Sequence, residues 1–374
     1  MLRLRLLSAL AAGFVGGAAA VWFLPAVEPA SARQPALPPP PPIIEDKPPV
    51  PPADRFEPAV ARVMPSVVAV EAVKPSPGGK GKPNEESGSG VLIRLDNYKA
   101  TFAVTNNHVV GGAKPADIYV TLADGRILQP DRVFPDPESD IALLRLADET
   151  LPVATLGDSD KVKQGQWVLA FGSPLGFSQT VTHGIVSARD RGQISLGNTI
   201  RIKEFLQSDA AINPGSSGGP LANSAGEIIG INTAIAAGNQ ATEPQFTGIA
   251  FSIPINLVKR VGRQLIEKGS VSRGYLGMQM NANLDARTAL RLGLTKLRGA
   301  MVESVHPGGP AARGGLQAGD VIQKLDGLDI RDENHFINLV GVLPGGSSVR
   351  LQLWRNKQAY TVDVTVGDWP GGRK

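Results

Sequence analysis

The stretch DAAINPGSSGGP at residues 209–220 is the part of this chain that most constrains its fold. Within it, Ser217 is followed by two glycines and preceded, two residues back, by Gly215. Glycines allow a tight turn whose backbone N–H groups point at a substrate, as an exposed nucleophile requires. We therefore predict that Ser217 is a nucleophile and that the N–H groups of Gly215 and Ser217 hold an oxyanion. A plain turn is the alternative. Ser216 is the neighbouring hydroxyl, although the third position of such a turn is the exposed one.

Two polar residues further upstream can activate a serine. His108 follows an apolar run in TFAVTNNHVV, residues 101–110, and Asp140 stands directly before the apolar segment IALLRL. A neutral histidine accepts the serine proton, and a carboxylate behind it sets the imidazole tautomer. The order His108, Asp140, Ser217 is that of chymotrypsin-like proteases, not of subtilisin or the α/β-hydrolases. Asp136 competes with Asp140, but it lies among prolines outside the apolar segment, so we favour Asp140.

The body of the chain, residues 56–255, consists of short apolar segments separated by Gly, Pro, Asn and Asp. This pattern is typical of an all-β sandwich or barrel. Together with the triad order, it favours a mostly β fold with a chymotrypsin-like double β-barrel and the triad in the cleft between barrels. Residues 256–268 place their apolar side chains on one helical face, so we predict a connecting helix over 256–270. Asn256 can cap this helix and Gly269 ends it.

Three motifs carry a family resemblance. TNNHVV, SDIALLRL and DAAINPGSSGGPL resemble the signatures of the HtrA (Deg) family of serine proteases, and the likeness runs from about Phe56 to about Trp369. Two positions depart from the family pattern: Ser216 stands where the family usually has Asn, and Ser173 where it has the Asn of a Gly-Asn-Pro loop. Neither departure removes a triad member.

The resemblance implies further site residues. An apolar S1 pocket, which receives the side chain before the scissile bond, would be walled by Ile212, Ile235 and Ala236. Arg191, in the segment after Val186, aligns with a family arginine that relays peptide binding to the active-site loops. The family also implies a homotrimer built on the protease domains. Ile212 and Ile235 could alternatively be core residues, and Arg191 a surface arginine.

The last hundred residues resemble a PDZ domain, the α+β module that binds peptide C-termini. The resemblance lies in YLGM at residues 275–278 and GLQAGDVI at 315–322, and the sequence has no second copy of GLQAGDVI. In that fold a terminal carboxylate is held by three successive N–H groups while the peptide adds to a sheet edge. Here the three would belong to Leu276, Gly277 and Met278. A helix from about Glu333 to Leu343 would flank the groove.

Composition excludes several function classes. The 374 residues leave room for two domains and tails, and 42% hydrophobic with 19% charged residues is ordinary for globular proteins. A net charge of +4 with scattered Lys and Arg gives no support for nucleic-acid binding. The absence of cysteine excludes disulfides and thiol catalysis. No cluster has metal-ligand spacing, so we expect neither a metal nor a cofactor.

The N-terminus predicts a membrane segment. Arg3 and Arg5 precede residues 6–27, which contain no charged side chain. At 1.5 Å per residue they would form a helix of roughly 33 Å, enough to cross a hydrocarbon core of about 30 Å. The positive-inside rule then leaves the catalytic part outside the bacterial inner membrane, in the periplasm. A cleavable signal peptide ending at Ala30-Ser31-Ala32 is the alternative.

These features predict a domain order and a function. The order is membrane anchor or uncleaved signal (1–30), proline-rich linker (31–55), protease domain (56–255), connecting helix (256–270), PDZ domain (271–367) and tail (368–374). The linker could instead be an SH3-type ligand. We expect a tethered serine endopeptidase that C-terminal peptides activate in an envelope stress response, as in the anchored family members. The alternatives are a soluble periplasmic quality-control protease and a PDZ scaffold, although a scaffold would need a broken triad.

Overall fold

The fold is mostly β, as the sequence predicts, in a computed structural model that describes most of the chain from residue 55 onward. The described residues are 55–76, 81–173, 179–192, 204–235, 247–281 and 284–369. The predicted membrane segment 6–27 and nearly all of the proline-rich linker lie outside them. Within these ranges no helix is both long enough and apolar enough to cross a bilayer.

The described strands form two groups along the chain, one before and one after the helix Ile255–Lys268, with the other helices lying before or among them. The helices are α1 (Glu57–Val63), α2 (Asn107–Val110), α3 (Ile255–Lys268), α4 (Ala286–Arg291), α5 (Pro310–Arg313) and α6 (Glu333–Gly341). The strands before α3 are β1 (Val67–Lys74), β2 (Asn84–Ile93), β3 (Thr101–Asn106), β4 (Ile118–Thr121), β5 (Ile127–Leu128), β6 (Arg132–Asp136), β7 (Ile141–Leu146), β8 (Trp167–Gly172), β9 (Thr180–Arg191), β10 (Phe205–Ser208), β11 (Pro220–Asn223), β12 (Ile228–Ile235) and β13 (Ala250–Pro254). The strands after α3 are β14 (Gly274–Tyr275), β15 (Met278–Asn281), β16 (Ala300–Val305), β17 (Val321–Leu325), β18 (Leu328–Asp329), β19 (Ser348–Arg355), β20 (Gln358–Thr365) and β21 (Gly367–Asp368).

The part of the chain before helix α3 consists of two barrel-like antiparallel sheets. The first has the order β5-β4-β1-β2-β3-β7-β6, and the second closes into a barrel in the order β10-β13-β12-β11-β8-β9. Along β7, Ile141 and Leu143 pack on the side of α3 and the second barrel, whereas Ala142 and Leu144 pack on the opposite face. Because both faces of this strand are buried, its first four residues, Ile141–Leu144, are all apolar and do not alternate with polar ones.

Helix α3 connects the two parts of the molecule. Leu257, Val261 and Leu265 bury its apolar face, and Gly269 ends it in the left-handed conformation with φ +73°. The predicted cap at Asn256 is wrong, because the helix begins at Ile255 directly after strand β13. The extended Pro254 therefore takes the cap position, and the Asn256 amide instead donates to Asp158 Oδ1 at 2.7 Å.

The C-terminal part is an α+β domain built on the sheet β15-β16-β17-β19-β20. Its core joins side chains of the sheet, including Leu351 and Leu353, to Phe336 and Val340 of α6. Asp332 caps α6 by accepting the His335 N–H at 2.8 Å. The helix ends two residues before the predicted boundary. Its side chains and residues 274–280 line one groove, at the place that the sequence predicts.

Candidate active site

Strand pairing brings His108 and Asp140 together. Strands β3 and β7 are neighbours with Asn106 opposite Ile141, so the residues just beyond these positions meet at one end of the sheet. His108 lies on the short helix α2 that follows β3. Asp140 lies immediately before β7 and is 2% exposed, with a left-handed backbone at φ +57°. The Asn106 side chain holds this conformation by donating to the Asp140 carbonyl at 3.0 Å.

The Asp140 carboxylate is fully occupied by donors. Its Oδ1 accepts the His108 backbone N–H at 2.8 Å, and its Oδ2 lies 2.8 Å from His108 Nδ1. The Thr233 hydroxyl, on β12 of the second barrel, donates to the same Oδ2 at 2.7 Å. Since an ionised carboxylate only accepts, the imidazole proton belongs on Nδ1. Nε2 is then left as the acceptor on a ring whose side chain is 44% exposed.

The turn that carries Ser217 has the conformation that its glycines predict. Ser216 N–H donates to Asn213 O at 2.9 Å, which closes a four-residue turn around Pro214 and Gly215. Proline in the second position and a glycine with φ +90° in the third are the features of a type II turn. Gly218 has no room for a side chain, because a β-carbon there would lie 2.1 Å from Ser89 O.

The nucleophile and the proposed oxyanion donors have few competing partners. The Ser217 hydroxyl donates only a long hydrogen bond of 3.5 Å to Thr233 O. Within the described ranges it makes no hydrogen bond to the His108 ring, and the N–H groups of Gly215 and Ser217 donate to no backbone acceptor. Catalytic hydrogen bonds are often loose in a free enzyme and tighten once substrate is bound. Thr233 bonds both sides of the candidate site, since its hydroxyl donates to Asp140 and its carbonyl accepts from the Ser217 hydroxyl.

The other predicted protease residues have different surroundings. Ile212 is 2% exposed and packs in the core of the second barrel. Ile235 ends strand β12, but its side chain, like the whole of Ala236, lies outside the described residues. The Asp136 carboxylate faces Arg273 and Ser139, so it is Asp140 that meets His108. In the described part of the chain, no group of three or more acidic or histidine side chains could hold a metal ion.

The residues predicted to bind a peptide carboxylate line a groove of about 530 Å³ in the C-terminal domain. Its walls include Leu276, Gly277 and Met278 on one side and Phe336, Ile337 and Val340 of α6 on the other. Gly277 has φ +73°, and the carbonyls of Leu276 and Gly277 accept N–H groups from Ala311 and His306 at 2.7 and 2.9 Å. No backbone acceptor for the Leu276 or Gly277 N–H lies among the described residues. The loop therefore presents donors to the groove.

A buried ion pair joins the groove to the loop that precedes Asp140. Arg273, next to the carboxylate loop in sequence and 8% exposed, pairs with Asp136 Oδ2 at 2.5 Å and with Glu138 Oε2 at 3.3 Å. Trp369 donates its indole N–H to Glu138 Oε1 at 2.9 Å and its backbone N–H to Arg273 O at 2.9 Å. Although sequence analysis assigned Trp369 to a tail, it is part of this contact.

A second contact joins β9 to the PDZ part. Asp190 pairs with Arg331 at 2.5 Å, and the neighbouring Arg191 donates to the Gln207 side chain at 2.9 Å from an exposed position. Desolvation raises the pKa of the nearby Glu204 carboxyl, with the Arg260 charge opposing it. Desolvation lowers the pKa of His335, and the Arg331 charge lowers it further. Charged groups of both domains thus surround the segment that contains Arg191.

Two residues that hold the site were missed in the sequence. Thr233 lies 93 positions from Asp140, and Ser89, whose hydroxyl bonds Gly215 O, lies 126 positions away from that glycine. Neither has a local motif that marks a role, because each reaches the site through the pairing of distant strands. Ser89 does stand between two glycines, Gly88 and Gly90, which is a weak sign of close backbone approach.

Comparisons with known proteins agree with this architecture. A trypsin-like peptidase domain matches residues 88–231, and a PDZ domain matches residues 274–366. A DegP-like periplasmic serine endoprotease of Halomonas elongata is 42% identical over 300 residues, which are 80% of this chain and 60% of the relative. Its counterpart in Pseudomonas putida strain GB-1 is 43% identical over 293 residues, 78% and 58% of the two chains. This chain thus spans about 60% of the length of the curated relatives it matches.

Solved structures match over more of their own length. The HtrA-type protease AlgW with a tripeptide is 39% identical, with a TM-score of 0.70 over 85% of this chain and 99% of the other. A serine endoprotease from Yersinia pestis is 31% identical, with a TM-score of 0.59 over 84% and 98%. The order of motifs, the two barrel-like sheets and the single matched PDZ domain all agree with these relatives. The chain therefore belongs to the HtrA family of serine endopeptidases.

Proposed function

We propose that this chain is a periplasmic serine endopeptidase whose catalytic triad is His108, Asp140 and Ser217. The observation that carries the proposal is the buried Asp140 carboxylate, which binds both the backbone N–H and the Nδ1 of His108 at 2.8 Å. This arrangement holds the imidazole in the tautomer that can accept a proton on Nε2. The relatives named as periplasmic serine endoproteases support the compartment and the reaction class.

In the proposed reaction the Ser217 hydroxyl attacks the carbonyl carbon of a peptide bond. His108 Nε2 takes the serine proton and passes it to the leaving amine, so that the C–N bond breaks and an acyl-enzyme remains. Water then attacks the ester, with His108 again accepting the proton, and releases the carboxylate product. The N–H groups of Gly215 and Ser217 stabilise the negative oxygen of both tetrahedral intermediates.

The proposed S1 pocket should select small aliphatic side chains. Ile212 is apolar, and Asp209, the acid three residues before it in sequence, accepts the Ile185 N–H at 2.7 Å. We therefore expect the purified chain to cleave peptides after Val or Ala, and at least about 100-fold less well after Arg or Lys, because nothing would pair with a buried cation. A panel of peptides that differ only before the scissile bond measures this as kcat/KM.

The same panel tests the endopeptidase assignment. Cleavage must occur inside peptides blocked at both ends, as mass spectrometry of the products would establish. Efficient cleavage after Arg would contradict the S1 assignment, whereas no cleavage of any peptide or unfolded protein would contradict the function itself. Ile212→Asp is the matched variant, since an acid at this wall should shift preference toward Lys or Arg.

We further propose that C-terminal peptides bind the PDZ groove and activate the protease, as in DegS, a membrane-anchored family member with one PDZ domain. Three observations support this regulation. The Leu276–Met278 loop and α6 form an open groove, and AlgW has been solved with a tripeptide and with a decapeptide. Arg273 links the groove to Asp136, four residues before Asp140, at 2.5 Å.

Arg191 is the residue through which we expect the signal to reach the active site. A peptide with an apolar C-terminus should raise the hydrolysis rate of the native chain by about 5- to 150-fold, the range of typical allosteric coupling. In Arg191→Ala this activation should fall below about threefold, with peptide affinity unchanged by fluorescence anisotropy. The matched control is Arg145→Ala, which removes an exposed arginine paired with Asp131 at 2.7 Å. Full activation of Arg191→Ala would exclude this role.

The remaining features of the proposal concern location and assembly. The uncharged residues 6–27 support a tether in the inner membrane, with the catalytic part acting on proteins near the bilayer in an envelope stress response. The resemblance to the family supports a homotrimer.

The Ala30-Ser31-Ala32 site favours the second candidate, a soluble periplasmic quality-control protease. Intact mass of the protein from washed membranes and from the soluble fraction distinguishes the two.

A further inference from the structure

Ser89, on strand β2, uses all of its polar groups to hold the turn that carries the nucleophile. It is completely buried, and its backbone N–H donates to Ser217 O at 2.7 Å. Its hydroxyl donates to Gly215 O at 2.6 Å and accepts the Ser173 N–H at 2.8 Å. Its carbonyl accepts the Thr105 hydroxyl, from strand β3, at 2.7 Å. One residue of the first barrel therefore contacts three backbone positions around the proposed oxyanion hole.

The two carbonyls that Ser89 holds belong to the two residues whose N–H groups we propose as oxyanion donors. The peptide group between Gly215 and Ser216 is fixed at both of its polar atoms. Its oxygen accepts from the Ser89 hydroxyl, and its N–H donates to Asn213 O at 2.9 Å. That group cannot rotate without losing both hydrogen bonds. Because Gly215 has no side chain to restrict its backbone, these two hydrogen bonds set the orientation of the Gly215–Ser216 peptide group.

Close packing keeps the two segments in direct backbone contact. A β-carbon at Gly88 would lie 2.9 Å from Ser217 O, and one at Gly172 would lie 3.0 Å from Ser216. With glycine at these positions, strand β2 at Gly88 and strand β8 at Gly172 both approach the nucleophile turn closely, and the β2 backbone bonds it through the Ser89 N–H. Thr105 anchors Ser89 to β3, the strand that leads into the helix with His108. The base and the oxyanion turn are thus tied to one pair of strands.

We propose that Ser89 is a positioning residue of the oxyanion hole, whose hydroxyl orients the Gly215 peptide and couples it to Ser173. It contacts neither the substrate nor the reacting atoms. By holding the Gly215 carbonyl it restricts rotation of the Gly215 backbone, and so limits the direction of the Gly215 N–H, which belongs to the adjoining Pro214–Gly215 peptide. This inference rests on the proposed endopeptidase function. Removing the hydroxyl leaves the turn closed through Asn213 but releases the Gly215 carbonyl, so that the Gly215 backbone is less fixed. The tetrahedral intermediate then loses stabilisation while substrate binding does not.

The test is Ser89→Ala in the full chain. Complete removal of an oxyanion donor costs about 10²–10³ in kcat, so misorienting one should lower kcat by about 10- to 100-fold, with KM within about threefold of wild type. A substrate-derived peptide boronic acid, which forms a tetrahedral adduct on the serine, should lose affinity by a similar factor. A merely structural role would not separate boronate affinity from KM in this way.

Ser66→Ala is the matched control. Ser66 is another buried serine of the first barrel, 2% exposed, whose hydroxyl donates to the backbone oxygen of Val63 at 2.6 Å. The Ser66→Ala variant should keep wild-type kcat and boronate affinity. Cysteine is similar in size to serine but is a weak donor, so Ser89→Cys should have kcat and boronate affinity between those of wild type and Ser89→Ala. If the alanine variant does not fold, Ser89→Cys tests the positioning role in its place.

The possible outcomes separate this inference from the proposed function. If Ser89→Ala, or Ser89→Cys in its place, matches Ser66→Ala in kcat and boronate affinity, the positioning role is wrong while the endopeptidase stands. If KM and kcat change together and boronate affinity follows KM, the role is structural, and the proposal is again overturned. If wild type itself neither hydrolyses the peptide nor binds the boronate, the proposed function fails and this inference fails with it.

Discussion

Replacing Ser217 with alanine is expected to lower kcat by about 10⁶-fold, the loss seen when a triad serine is removed from a serine protease. The hydroxyl is the only part of the proposed triad that forms a bond with substrate, so no neighbouring group can replace it. Among the described residues the Ser217 hydroxyl makes one hydrogen bond, to Thr233 O at 3.5 Å, and this bond is too long to contribute much to folding. The variant should therefore fold normally and bind C-terminal peptides at its PDZ groove with unchanged affinity.

The matched control for this experiment is Ser216→Ala, which removes the adjacent hydroxyl of the same turn. The Ser216 backbone closes the turn through Asn213, and alanine keeps that bond, so the control should retain kcat within about tenfold of wild type. Turnover is measured with the best peptide of the panel, and folding by thermal denaturation. Comparable loss in both variants, or more than 1% residual turnover in purified Ser217→Ala, would contradict the assignment of the nucleophile.

The triad candidates were accessible from sequence because each lies beside a strand end in a recognisable motif. His108 follows β3, Asp140 precedes β7, and Ser217 lies in a glycine turn before β11. Their chain order then indicated which fold would bring them together. The supporting groups were not accessible in this way. Thr233 reaches Asp140 across 93 positions, because β12 of the closed barrel contacts β3 of the first sheet.

Contacts between distant segments also limited how much of the fold could be predicted from sequence. The apolar face of α3 and its glycine stop were predicted, since both depend on residues within one helix. Its first residue was not, because strand β13 runs into the helix without a loop and Pro254 replaces the expected asparagine cap. The Arg273–Asp136 pair spans 137 positions and joins two domains. Local pattern carries no information about such contacts, since they depend on how the domains pack.

Replacing Asp140 with asparagine is expected to lower kcat by about 10⁴-fold with the fold intact. Oδ1 faces the His108 backbone N–H and Oδ2 faces Nδ1 and the Thr233 hydroxyl. The asparagine must keep its carbonyl oxygen toward the backbone N–H, since its NH₂ there would face another donor. That NH₂ then donates to His108 Nδ1, which moves the ring proton to Nε2. In this tautomer the imidazole has no acceptor for the Ser217 proton.

The measurement combines kcat with the imidazole tautomer of His108 by ¹⁵N NMR. Asp140→Asn should show the proton on Nε2, while wild type at neutral pH should show it on Nδ1. Asp131→Asn, which neutralises an exposed aspartate paired with Arg145 at 2.7 Å, is the matched control and should leave both kcat and the tautomer unchanged.

Asp136→Asn should keep at least about 100-fold more activity than Asp140→Asn, because its carboxylate binds Arg273 rather than the base. If Asp136→Asn instead lost as much activity and also moved the His108 proton, the carboxylate of the triad would be Asp136.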